Sequence, residues 1–233
     1  MKAPGSVGGA KLRLLLASSS VAALLIGGGV PHAYAACTAV PTGGVNNSGT
    51  VSGYCVDNEI VNGNIDNSGT ISPSGISFSN GTLNGQINSS GTLVGGISLN
   101  STSKISSGTT AINITGPTFT GGISNAGTIS ALTNAGIYVG QYTGYVTTFS
   151  GGITNSGTIS ANAGNGIGIW FSGVETASGG ISNSGRISGD LGIYLQSGTQ
   201  FGSASAGGGI TNSGTISARA SAICWRRLPS PRC

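Results

Sequence analysis

The sequence is poor in charged residues and in histidine. Charged residues make up 6% of the 233-residue chain, against about 25% in a typical globular domain. The single histidine is His32, so the chain beyond it cannot form a Ser-His-Asp or Cys-His catalytic site or a histidine-bearing zinc site. Lysine and arginine are not clustered as nucleic-acid binding requires. We therefore expect no enzyme activity, no cofactor, no metal and no nucleic-acid partner.

Long apolar segments are also lacking, apart from one near the N-terminus. The stretch 14–30 follows basic residues and precedes small residues at Ala33 and Ala35. Serines and glycines interrupt this stretch, which favours a secretory signal peptide over a membrane anchor. We expect cleavage between Ala35 and Ala36. The mature chain is then exported, without a transmembrane segment, to the periplasm, the cell surface or the extracellular space.

A phrase of the form aliphatic-x-Asn-x-Gly-x-aliphatic recurs through the rest of the chain. Written GGITNSGTISA at 151–161, it returns unchanged at 208–218. Successive copies are 20 to 36 residues apart, which is typical of a solenoid whose single units are too small to bury their own apolar face. The copies begin at Val45, Ile65, Ile87, Ile123, Ile153, Ile181 and Ile210, and the copy at Ile87 has Ser89 in place of the asparagine.

Alternation within the phrase predicts two strands around a tight corner. Ile153 and Ile159 are expected to face inward, with threonine and serine outward. The Asn-Ser-Gly between them is expected to turn the chain through left-handed backbone angles. Stacked copies of the phrase predict an amide ladder of Asn155, Asn183 and Asn212.

A third strand is predicted between the phrases, at 135–141, 165–171 and 191–197. Three strands per repeat predict a three-sided coil, and the fold class is an all-β, right-handed parallel β-helix of about seven irregular coils. A β-propeller needs longer repeats, and an amyloid-like array of uncharged NSGTIS segments is the remaining alternative. The predicted domains are a signal peptide at 1–35, an N-terminal cap and first coil at 36–62, β-helix repeats at 63–224 and an aberrant basic tail at 225–233.

Cysteines and carboxylates near the first repeat form two candidate sites. A disulfide between Cys37 and Cys55 suits an exported chain, and two unpaired thiols are the alternative. Asp57 and Glu59 are predicted to alternate on one strand, with Asp66 one coil above. Such a group could bind calcium or cleave a sugar chain, but a solvated first coil is the favoured interpretation.

Aromatic residues provide the third candidate site. The outward positions of the predicted third strand include Tyr138, Trp170 and Tyr194. Aligned on one face, these rings could stack on sugars or insert into a partner. Packing across neighbouring strands is the favoured alternative.

The signal peptide followed by G-I-x-N-x-G-T-I units resembles the passenger region of bacterial autotransporters, the type V secreted proteins, and is similar to filamentous-haemagglutinin-style adhesin repeats. The resemblance covers about residues 43–224. It implies an exported β-helix carried across the outer membrane by a C-terminal β-barrel. It also implies a structural, adhesive or virulence-associated role, with a glycan or protein receptor on a host or cell surface.

The chain departs from this family at its C-terminal end. No barrel-like strands are present in the sequence, and WRRLPSPRC at 225–233 leaves the repeat pattern. We therefore expect a truncated or frameshifted passenger, whose uncovered strand edge favours edge-to-edge self-association. The alternatives are a polysaccharide-cleaving β-helix enzyme and a non-functional truncated product.

Overall fold

The computed structural model describes residues 37–140, 146–196, 199, 208–226 and 231–232. This part of the chain contains strands and no helix, and no membrane-crossing helix is found in it. The strands form two sheets of 12 and 14 strands, and their pairing is parallel except at the last short strand. The described chain is a parallel β-helix, as its repeats predict. The predicted cleavage site between Ala35 and Ala36 lies outside the described residues.

Each coil carries four strands, where the sequence predicts three. The strands lie on four faces, of which the first and fourth belong to one sheet and the second and third to the other. The first face runs in register from Val45 to Ile223 through eight strands, which are joined by seven pairings. Strands of the second face are as short as Thr92–Leu93 and Thr118–Phe119. Two residues cannot display an alternating pattern of apolar and polar side chains, so the sequence does not predict these strands.

The 14-stranded sheet supplies the first and fourth faces. Two long strands, Arg186–Leu195 and Thr215–Arg226, bend and take part in both faces. The first face otherwise comprises Val45–Asn47, Ile65–Asn67, Ile87–Ser89, Ile112–Ile114, Ala135–Gly140 and Ile167–Ser172. The fourth face otherwise comprises Ile60–Val61, Thr82–Asn84, Lys104–Ser107, Thr128–Ala131 and Thr158–Ala161. Pro231–Arg232 pairs antiparallel with the end of Thr215–Arg226.

The 12-stranded sheet supplies the second and third faces. Thr50–Asp57 and Thr70–Ser79 bend between these two faces. The second face otherwise comprises Thr92–Leu93, Thr118–Phe119, Val146–Phe149 and Val174–Ala177. The third face otherwise comprises Thr38–Ala39, Ile97–Leu99, Ile123–Asn125, Ile153–Asn155, Ile181–Asn183 and Ile210–Asn212.

Aliphatic side chains from all four faces fill one continuous interior. Ile153 and Ile159, predicted to face inward, are 1% and 0% exposed. Phe119 and Phe149 of the second face stack with ring centroids 5.0 Å apart, and Phe171 meets Phe149 edge-on from the first face. Burial of each such side chain stabilises the fold by about 1.5–3 kcal/mol. The repeated aliphatic positions therefore build the core.

The copies of the phrase do not all stack on one another. The early copies, at Val45, Ile65 and Ile87, lie on the first face, whereas the copies from Ile123 onward lie on the third. The 36-residue step between Ile87 and Ile123 thus contains about one and a half coils. The expectation of one coil per copy is wrong at this step. The phrase specifies a strand, a corner and a strand, and each coil has two corners that accept it.

Each corner carries its own buried ladder of polar side chains. The predicted ladder is confirmed, because Asn155 Nδ2 donates to Asn183 Oδ1 at 2.7 Å and Asn183 Nδ2 donates to Asn212 Oδ1 at 2.7 Å. The ladder also includes Asn125 of the preceding coil, whose Nδ2 donates to Asn155 Oδ1 at 2.8 Å. The second ladder lies at the other corner and comprises Asn47, Asn67 and Ser89.

The glycine of Asn-x-Gly serves a different purpose from the one predicted. Gly157 does not have a positive φ, whereas Gly151 and Gly152, ahead of the phrase, have φ values of 90° and 67°. A Cβ atom on Gly157 would lie 2.0 Å from the carbonyl oxygen of Gly127 in the neighbouring coil. The glycine is needed because successive coils approach each other closely at this corner.

Candidate functional site

The two N-terminal cysteines are joined. Cys37 and Cys55 form a disulfide with their Cα atoms 5.7 Å apart. The bond ties Thr38–Ala39 to the neighbouring strand Thr50–Asp57, with which it pairs in parallel. Next to this bond, burial raises the pKa of the Tyr54 phenol. The disulfide therefore links two neighbouring strands covalently at the first coil, and its role is structural.

The acidic residues of the first coils are not brought together as predicted. The strand that holds Asp57 ends at that residue, and Ser79 pairs with Asp57 in the next coil. Asp66 lies on the first face, in the other sheet, where Asn88 Nδ2 donates to its Oδ1 at 2.7 Å. Among the described residues, no group of three metal-ligating side chains is found. The prediction that Asp66 lies one coil above Asp57 and Glu59 is wrong, because the fourth strand of each coil moves Asp66 to another face.

The three aromatic residues lie in register on the outer side of the first face. Tyr138 pairs with Trp170, and Trp170 with Tyr194. Their ring centroids are 4.8 Å and 6.0 Å apart. Tyr138 and Trp170 are only 7% and 9% exposed, and they pack with Ala135 and Ile167 in a small apolar cluster. This burial favours packing over ligand stacking for these two rings. Tyr194, the third aromatic residue, is half-buried.

A row of hydroxyl groups crosses the outer side of the fourth face. In-register pairing places one serine of each coil beside the serine of the next, from Ser106 to Ser217. Two cavities of about 510 and 240 Å³ lie along this row and share Asn162. We call this feature the serine groove. Its floor is Ser106, Ser130, Ser188 and Ser217, and its wall is Leu132 and Asn162.

The wall residues Leu132 and Asn162 lie in two corners between the fourth and first faces, and the corner that begins at Asn162 is the longest of those described. Two residues separate Asn84 from Ile87, but five separate Ala161 from Ile167. Leu132 stands on this wall with 56% of its surface exposed. Asn162 Nδ2 donates to Ser130 Oγ at 3.2 Å and so joins wall and floor.

An ion pair contacts the corner of the wall that contains Asn162. Arg219 Nε lies 3.2 Å from Asp190 Oδ1, and Arg219 Nη2 donates to the Asn162 carbonyl oxygen at 3.3 Å. Asp190 Oδ2 also accepts from the backbone N–H of Asn165. Because the Arg219 side chain is 68% exposed, we expect the ion pair to position the wall more than to stabilise the fold.

The components of this groove are recognisable in the sequence, but the groove itself is not. The triplet Thr-Ile-Ser at 128–130 and 158–160 already shows outward hydroxyls on both sides of an inward isoleucine. The copies Lys-Ile-Ser at 104–106 and Arg-Ile-Ser at 186–188 place cations in the same pattern. Only the register between coils shows that these triplets share one face.

Comparison with protein-family models, curated proteins and solved structures finds no match to this chain.

Proposed function

We propose that this chain is an exported β-helix with a structural and adhesive role and without catalytic activity, of the kind found in autotransporter passengers. The serine groove is the observation that carries the proposal. It presents hydroxyl, amide and cationic groups on a scaffold held by a continuous buried core. A surface held in place before binding loses little conformational entropy on association, which favours adhesion.

The positions of the acidic residues support a role without catalysis. Sugar cleavage by paired carboxyl groups requires two of them within about 5–10 Å of each other across the scissile bond. Asp57 and Asp66 lie in different sheets, so the pair suggested by their closeness in sequence does not share a face. The single histidine lies within the predicted signal peptide.

Export is the first testable part of the proposal. We expect the chain recovered outside the cytoplasm to begin at Ala36, because small residues at Ala33 and Ala35 suit a signal peptidase. Mass spectrometry of the N-terminal peptide measures this directly. Recovery of a chain that retains residues 1–35 would contradict it.

Adhesion is the second testable part. We expect beads coated with the purified chain to bind a panel of immobilised polysaccharides and whole cells, while beads coated with heat-unfolded chain do not. The same panel is assayed for newly formed reducing ends, with and without calcium. Release of such ends contradicts the non-catalytic role, and equal binding by folded and unfolded chain contradicts adhesion by the folded surface.

A further inference from the structure

We infer that the serine groove binds a linear polysaccharide that carries carboxylate groups. The inference rests on the proposed adhesive function and adds to it a site and a ligand class. The groove runs across the strands, from coil to coil, so its length is set by the stacking of coils. The row from Asn84 to Ser217 has one residue in each of six coils and spans five coil spacings, or about 24 Å at about 4.8 Å per spacing. Ser160, within this row, is buried and lines neither cavity, so the groove is open on the two sides of that coil.

The floor matches a ligand rich in hydroxyl groups. A serine hydroxyl both donates and accepts hydrogen bonds. Within the described part of the chain, the hydroxyls of Ser106, Ser188 and Ser217 form no hydrogen bond, so they are available to a ligand. The exposed Leu132 side chain on the wall offers an apolar contact for the non-polar face of a sugar ring.

Charge around the groove favours an anionic ligand. Lys104 and Arg186 occupy equivalent positions on the fourth face, separated by Thr128 and Thr158. Three coil spacings place the two cations about 14 Å apart along the row. Asp190, the acidic residue at the groove, is already paired with Arg219. Arg186 is exposed and forms no ion pair with any described residue, so its guanidinium can bind a carboxylate in bidentate fashion.

Other polymers fit the groove less well. An extended peptide advances about 3.3 Å per residue, out of step with the coil spacing of about 4.8 Å. It also cannot add as a strand, because the fourth-face strands between Thr82–Asn84 and Arg186–Leu195 are paired on both sides. Binding of a nucleic acid requires a denser set of cations than two residues about 14 Å apart.

The test uses polygalacturonate as the probe and its methyl ester as the uncharged control polymer. The variant Lys104→Thr/Arg186→Thr replaces both cations with the residue that other coils have at this position, so it is expected to fold. We expect its affinity for polygalacturonate to fall roughly tenfold or more, to the level at which the parent chain binds the ester.

A second variant keeps the net charge and moves one cation. Arg186→Thr/Thr154→Arg places the arginine on the third face, where Thr154 is exposed. We expect it to bind polygalacturonate as weakly as Arg186→Thr alone. Full binding by this variant, or equal binding of single-stranded DNA by the parent chain, would overturn the groove as a polysaccharide site.

The outcomes separate this inference from the proposed function. If Lys104→Thr/Arg186→Thr still adheres to polysaccharides and cells like the parent chain, the groove is excluded and the adhesive role stands. If the folded parent chain binds no polysaccharide and no cell, the adhesive role itself is overturned.

Discussion

The variant Gly157→Ala is expected to lose at least about 3 kcal/mol of unfolding free energy, the upper end of what overpacking costs. The new Cβ atom would lie 2.0 Å from the Gly127 carbonyl oxygen. That oxygen belongs to the backbone and cannot move aside as a flexible side chain can. The two coils must separate at this corner, which also strains the ladder bond between Asn125 and Asn155. Urea denaturation followed by circular dichroism measures the loss.

Gly49→Ala is the matched control for this variant. Gly49 occupies the same position of the phrase, after Asn47 and Ser48, but no atom of a neighbouring coil lies within 4 Å of the place that its Cβ would take. We expect a change below about 1 kcal/mol, since the residue lies on the first described coil and no described residue adjoins it on that side. Similar losses for the two variants would show that the phrase requires glycine for its backbone angles and not for coil spacing.

The variant Asn155→Ala is expected to destabilise the chain by about 4 kcal/mol. The Asn155 side chain is fully buried. It accepts from Asn125 Nδ2 and donates to Asn183 Oδ1, and its Nδ2 also lies 3.2 Å from the carbonyl oxygens of Gly157 and Arg186. Alanine removes these bonds, takes away the donor that Asn155 provides to the buried Asn183 Oδ1, and leaves a cavity. The midpoint of urea denaturation measures the effect.

Two further variants identify the cause of that loss. Asn212→Ala removes the last described rung of the same ladder, which is exposed, so water can replace the lost bonds and we expect about 1 kcal/mol or less. Asn155→Asp keeps the shape but places a carboxylate oxygen against Asn183 Oδ1. Burial raises the folded-state pKa of such a carboxyl, so its penalty is present at neutral pH and is relieved as the pH falls. Equal stability of Asn155→Asp and the parent at neutral pH would exclude the ladder as the source.

The short second-face strands and the role of Gly157 could not be predicted from the sequence. Alternation around Ile153 and Ile159 predicts inward and outward positions correctly, because a strand has a period of two whatever it packs against. The short strand Thr92–Leu93 has no such pattern. Gly157 suits both a left-handed turn and a close approach between coils, and only the position of the adjacent coil distinguishes them.

For the two candidate surfaces too, some features follow from the sequence and others only from the tertiary structure. The alignment of Tyr138, Trp170 and Tyr194 follows from equivalent positions in their strands, so the sequence predicts it. Their burial does not follow from position in a strand, because it depends on what covers the outer side of the first face. The serine groove depends on the register of five coils together with two corner segments of unequal length.

The sequence by itself determined that this chain winds into parallel coils around aliphatic residues and that its asparagines align. These properties are local, since each follows from the spacing of residues within one phrase. Tertiary structure alone decided how many strands complete a coil, and thus which residues far apart in sequence share a face. The repeated phrase occupies one corner in the early coils and a different corner in the later coils, so only the packing of whole coils selects between them. That selection separates Asp57 from Asp66 and brings Ser106, Ser130 and Ser188 into one row.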